Sequence, residues 1–351
     1  MNMLFQRTVD KMPKTFRAEG GRSGHTIRPT KRSIRDRAMT DHPVRAPARL
    51  AFHHVGVMGP ALVLARFLLA AEFLTYGVRK FLHPENIYRL IEAHHLPGEL
   101  VYLVIPWQVG FGLAIVLGLQ TRLAAMALFG FCVIAPSIFW LDNLENLTRD
   151  YATAGGFLFL IVFGPGPISL DSKFGRNGRD LVSNRFARIW DNRLLMERLI
   201  FFGRVLIATP FLADVVKKII YTDQGQAFLQ IGGIPPSSLY GLIIVEGVGG
   251  FTLLVGYRTE LAAAILLVLS LVLAFILHNP AAFLGLYTEN FSAVAYNLFQ
   301  KNGGPLSSFY KDLAVTGALI MLIVHGPGQF SWDAASRRTN SIDSLKSSPT
   351  R

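Results

Sequence analysis

The stretch Arg66–Lys80, RFLLAAEFLTYGVRK, returns 138 residues later as Arg204–Lys218, RVLIATPFLADVVKK. Both are apolar runs opened by an arginine and closed by a lysine. Outward from them, the offset of 138 also relates Pro97 to Pro235, Gln108 to Glu246, Gly112 to Gly250, Gly118 to Gly256 and Thr121 to Thr259. Past the third apolar run the offset becomes 162, pairing Asp150 with Asp312, Gly155 with Gly317, Gly164 with Gly326, Pro165 with Pro327 and Asp171 with Asp333. The difference of 24 is an insertion in the second copy, at about 279–310. Its aromatic and polar composition suits either a functional loop or a short interfacial helix.

Composition decides what the repeated unit is. Of 351 residues, 51% are hydrophobic and only 17% charged, with a mean hydropathy of +0.37. Long uncharged stretches run from Leu100 to Thr121, Leu123 to Leu141 and Tyr151 to Leu170. About 20 apolar residues span a bilayer as a helix. The pattern therefore predicts an all-α membrane protein made of two tandem four-helix transmembrane bundles, about eight spans. Residues 1–58 read as a disordered basic tail, 59–171 as the first four-helix unit, 172–198 as a linker, 199–333 as the second unit and 334–351 as a disordered tail. In the first unit, loops are expected at His83 to Glu99 and at Asp142 to Asp150, with a helix stop at Gly164-Pro165-Gly166-Pro167.

Charge placement orients the chain. The net charge is +12, but it lies in the segments outside the apolar runs and does not imply nucleic acid. Residues 1–58 hold 12 Lys/Arg against 4 Asp/Glu, and the linker and C-terminal tail are also net positive, whereas the loops on the other side are net acidic. The positive-inside rule then predicts cytoplasmic tails and linker. An even number of spans per copy gives both copies the same orientation, related by an axis along the membrane normal.

Ionisable groups inside a membrane are costly and point to function by default. Glu72, Tyr76, Arg79 and Lys80 follow steps of 3 and 4 and share one helical face. The matching positions in the second copy are Pro210, Asp214, Lys217 and Lys218. Glu246, opposite Gln108 in the alignment of the copies, must be paired or protonated if buried; Asp214, Lys218 or Arg204 could serve. Arg66 and Lys80 are either members of such a polar site or cations that snorkel to the interface. The candidate intramembrane site is thus Glu246, Asp214, Lys218 and Arg204 in one copy and Gln108, Lys80, Tyr76, Glu72 and Arg66 in the other. His83, His94 and His95 follow no metal-ligand spacing, and the single cysteine, Cys132, permits neither an intramolecular disulfide nor a redox pair. No phosphate-binding loop, dinucleotide fingerprint or nucleophile elbow is present.

Each copy resembles a DoxX domain. The first shows Arg66-Phe-Leu-Leu, Tyr76-Gly-Val-Arg-Lys80-Phe, Leu96-Pro97, a Gly-rich second helix, Gly118-Leu-Gln-Thr121-Arg122-Leu and Phe163-Gly164-Pro165-Gly166 with Leu170-Asp171, in the family's order. The glutamate usual in the family's second helix is matched by Glu246 and replaced at Gln108, and the second copy lacks the glycine at the end of its first helix. The resemblance implies four-helix membrane bundles, distantly related to the DoxD-type subunit of thiosulfate:quinone oxidoreductase. It further implies a membrane subunit of a redox system with redox-enzyme partners. No cofactor is encoded in a motif; a quinone is the one an apolar slot with carbonyl-bonding groups could take. A non-enzymatic membrane scaffold and a small-solute transporter remain as alternatives. With a different acid in each copy, the second is the one expected to carry chemistry.

Overall fold

A computed structural model describes residues 55–141, 143–174, 192–231, 233–278 and 304–347. Readings placed on residues 1–54, 175–191 and 279–303, which include most of the basic tail, the linker and the insertion, lie outside the described residues. Every regular element among those described is helical. The first repeat contributes α1 (Val55–Leu82), the short α2 (Pro84–Ala93), α3 (Leu100–Leu117), α4 (Thr121–Phe139), α5 (Leu144–Phe163) and the single turn α6 (Leu170–Lys173). The second contributes α7 (Arg193–Ile220), α8 (Thr222–Ile231), α9 (Ser238–Val255), α10 (Thr259–His278), α11 (Gly304–His325) and α12 (Trp332–Ser347).

Three segments read as irregular are helical, for local reasons. Pro84, at the first helical position, starts α2 inside the segment expected as a loop. Asn143 accepts a hydrogen bond from the Asn146 amide at 3.1 Å, so α5 begins six residues before Asp150 and takes in the expected acidic loop. Ser331 accepts from the Ala334 amide at 3.2 Å and starts α12 where a disordered tail was expected.

Seven helices, α1, α3, α4, α7, α9, α10 and α11, are long and apolar enough to cross a membrane. The eighth long helix, α5, is as long as its neighbours but carries Glu145, Arg149 and Asp150. Every residue of α5 from Ala152 to Ile161 is buried, so this helix is shielded from lipid by protein and has no need of an apolar surface.

Both four-helix repeats are present, and they are interlocked. Within each repeat the first helix packs on the second, the second on the third, and the third on the fourth. The first and fourth helices of one repeat scarcely touch. Instead α5 packs along α7, α11 packs along α1, and α5 and α11 pack on each other at the centre. Small residues allow the close approach. A Cβ added at Gly155 would stand 2.5 Å from the Gly203 carbonyl oxygen, and one at Gly317 would stand 2.9 Å from that of Ala65. Ala65 and Gly203 are themselves equivalent positions, so the two crossings are copies of one another.

The relation between the copies is visible along α5 and α11. Near one end, Arg149 and Asp150 meet Asp312 and Lys311. At the other, Phe163 stacks on His325 with ring centroids 4.0 Å apart. Equivalent residues meet at both ends, so the two helices run parallel about a pseudo-two-fold axis between them, as the even span count requires.

Candidate functional site

Each repeat holds a partly open cavity toward the end of the bundle that carries α2 or α8. The first, of about 800 Å³, is walled mainly by apolar side chains of α1 to α4, including Trp107, Phe111, Phe131 and Phe139. Its polar groups come from four helices. Lys80 donates to Gln108 Oε1 at 2.8 Å, joining α1 to α3. Lys311 Nζ, from the second repeat, lies 2.9 Å from Asp150 Oδ1 on α5. Glu72, only 6% exposed, lines the same cavity within hydrogen-bonding reach of Asp150. Its Oε2 is buried without a hydrogen-bond partner among the described residues. Tyr76 and Cys132 complete the wall around these groups.

The second cavity, of about 490 Å³, is lined by α7, α9 and α10 with α5 and α11, and it is far more charged. Lys218 pairs with Glu246, and Lys217 with Glu145 of the first repeat. Arg149 lies 2.8 Å from Glu145 and 3.2 Å from Asp312. Asp214 also lines the cavity.

These contacts distribute the expected site residues between two places. Glu72, Tyr76, Lys80 and Gln108 share the first cavity, and Asp214, Lys218 and Glu246 share the second. Arg66 and Arg204 join neither. Each lies toward the far end of its helix and binds backbone carbonyl oxygen in or just after the Gly-Pro-Gly turn. Arg66 donates to Ile168 O at 2.6 Å; Arg204 donates to Pro327 O at 2.8 Å and Phe330 O at 2.7 Å. The guanidinium passes over a left-handed glycine, Gly118 (φ 67°) or Gly256 (φ 79°). A Cβ there would come within 2.2 Å of Arg66 Nη1 or 2.5 Å of Arg204 Nη1. Beside it, Asp171 accepts from the Gln120 and Thr121 amides at 2.8 and 3.0 Å, and Asp333 from the Arg258 and Thr259 amides at 2.8 and 3.1 Å. The most conspicuous shared motif of the copies, Arg with Gly-x-x-Thr and Ser-x-Asp, therefore holds three helix ends together. That geometry accounts for the position of the two buried arginines.

Four residues that shape the cavities escaped the sequence reading as site residues: Arg149, Asp150, Lys311 and Asp312. Their signal is a basic-acidic dipeptide recurring at the offset of 162. Fourth helices were assigned to their own bundles, so the pairing across repeats, and hence the presence of Lys311 in the first cavity, had no sequence signature. Among the described residues no group of three or more His, Cys, Asp and Glu could hold a metal ion.

Comparison with known proteins supports the duplication. The DoxX family profile matches twice, at residues 61–141 and 199–279. Inner membrane protein YqjF of Escherichia coli strain K12 is 32% identical over 115 residues, 31% of this chain and 88% of that protein. Inner membrane protein YphA of the same organism is 28% identical over 138 residues, 35% of this chain and 98% of that protein. Nearly the whole of each relative thus corresponds to about one third of this chain, the length of a single repeat. No solved structure matches the chain significantly.

Proposed function

The chain belongs to the DoxX family of membrane proteins, and on that premise we propose that it is a membrane subunit of a redox system whose first repeat holds a quinone. One observation carries the reading. An apolar, aromatic-walled cavity of about 800 Å³ ends in a polar wall whose Glu72 Oε2 has no hydrogen-bond partner among the described residues. A buried polar atom left unpaired costs about 1–3 kcal/mol, and a ligand that hydrogen-bonds there relieves it. Pockets of this kind, mostly apolar with a few convergent polar groups, suit small ligands of cofactor size. A quinone ring fits the aromatic walls, and its carbonyl oxygens accept hydrogen bonds from a protonated Glu72 and from Lys80. No electron carrier is encoded in a recognisable motif, so electrons would reach the ligand from a partner protein. The favoured repeat is therefore the first and not, as the distribution of acids suggested, the second.

The test is direct. Protein purified in mild detergent should retain extractable quinone, near one per chain. Glu72→Gln should lower the retained amount about tenfold without changing helical content. Absence of quinone from the wild type, together with no binding of an added short-chain quinone, would sink the reading. A scaffold role is favoured by a different observation: apart from Asp214, the charged groups of the second cavity are paired with one another. Co-purification of structural partners without any redox enzyme would support it. The inner membrane relatives support a bacterial inner membrane location, and the positive charge of the tails and linker supports cytoplasmic termini, which reporter fusions to each terminus test.

A further inference from the structure

We propose that the second cavity is a separate binding site for an organic ammonium cation with an apolar body, held at Asp214.

Four carboxylates, Glu145, Asp214, Glu246 and Asp312, and three cations, Arg149, Lys217 and Lys218, line this space. All three cations are committed: Lys218 to Glu246, Lys217 to Glu145, and Arg149 to Glu145 and Asp312. The lining is left one negative charge in excess, and Asp214 is the residue that carries it. Asp214 makes no hydrogen bond and no ion pair among the described residues, although it sits one turn from both lysines. An unpaired carboxylate at membrane depth is unfavourable unless a cation or proton joins it.

The kind of cation follows from the rest of the wall. A hard metal ion takes six or more converging oxygens, and no group of even three possible ligands converges among the described residues. The remaining wall is mainly apolar, with Leu229, Leu239, Leu242, Leu269 and Leu273 lining the space beside the polar Gln224, Ser270 and Ser308. At about 490 Å³ the cavity falls within the size range of small-molecule sites. A positive head beside Asp214 and a hydrocarbon body against the leucines satisfy both halves.

The first repeat supplies an internal comparison. The position of Asp214 is held there by Tyr76, and that of Glu246 by Gln108. Trp107, Phe111 and Phe131 of the aromatic cavity become Val245, Gly249 and Leu269. One scaffold, one pair of equivalent cavities and two opposite sets of substitutions mean two ligand classes. The site stands on these observations alone and does not depend on a quinone in the first cavity.

Titration of the purified full chain with hexylammonium tests it. The thermal midpoint should rise saturably, and equilibrium dialysis should show one site. Asp214→Asn should weaken binding at least tenfold, Asp214→Glu should retain it, and neutral hexanol and anionic hexanoate should not reproduce it. The proposal is overturned if hexylammonium does not bind, if hexanol binds equally well, or if Asp214→Asn binds as the wild type does. Should Asp214→Asn not fold, the contrast between hexylammonium and hexanol on the wild type, with Asp214→Glu, decides the matter.

Discussion

At the scale of single residues, the same side-chain types do opposite jobs at the two ends of the bundle. Arg66 and Arg204 are almost fully buried, and the hydrogen bonds they make to the turns go to backbone carbonyls that no helix could satisfy internally. Asp171 and Asp333 cap the amides that begin α4 and α10. Helix caps contribute about 1 kcal/mol each, and these accept from two amides apiece. Asp333→Asn should therefore lower unfolding free energy by roughly 1–2 kcal/mol in detergent denaturation, while leaving ligand binding in both cavities unchanged. A loss of binding without loss of stability would show that this arginine-aspartate end has a role beyond support. The sequence exposed these residues through their repetition. It could not separate them from Lys80 or Glu246, because burial and repetition are common to supports and to sites.

At the scale of elements, the decisive contact is between α5 and α11. Arg149–Asp312 and Lys311–Asp150 form two reciprocal ion pairs, each joining one repeat to the other. Removing one partner of a buried pair leaves an uncompensated charge and costs about 3–5 kcal/mol. Arg149→Met should destabilise by up to that order in detergent unfolding, because it takes the guanidinium from Asp312, whereas Glu145 keeps Lys217. Adding Asp312→Asn to the same chain should recover part of the loss, since the carboxylate that lost its arginine is then neutral. Strict additivity of the two substitutions would argue that the pair is not coupled. These elements also show where sequence reading stops. The charges on α5 lower its apolar character, so by composition it is the weakest of the eight spans. Its enclosure by α4, α7 and α11 explains why such a helix is tolerated at membrane depth.

At the scale of the whole molecule, two single-repeat relatives have been matched by a chain that carries the unit twice. The interlocked fourth helices mean that neither half closes its own core: α1 needs α11, and α7 needs α5. A protease site placed within residues 175–191 should therefore cut the chain without separating it. After cleavage the two fragments should co-elute in mild detergent as one particle with an unchanged thermal midpoint. Dissociation into folded halves would contradict the interlocked packing. The fusion also allows what two identical copies could not do, namely cavities of different chemistry facing each other across one shared helix pair.

Sequence alone determined the repeat, the helical class and the parallel relation of the copies. Each of these follows from local composition, spacing and the count of spans, which the chain displays in order. The tertiary structure decided the rest. It placed Arg66 and Arg204 outside both cavities, brought Lys311 and Arg149 across from the opposite repeat, and gave the larger apolar cavity to the first copy. Those outcomes depend on which helix packs on which. The two first helices are repeats of one pattern, so the pattern by itself does not announce which of them a fourth helix will join.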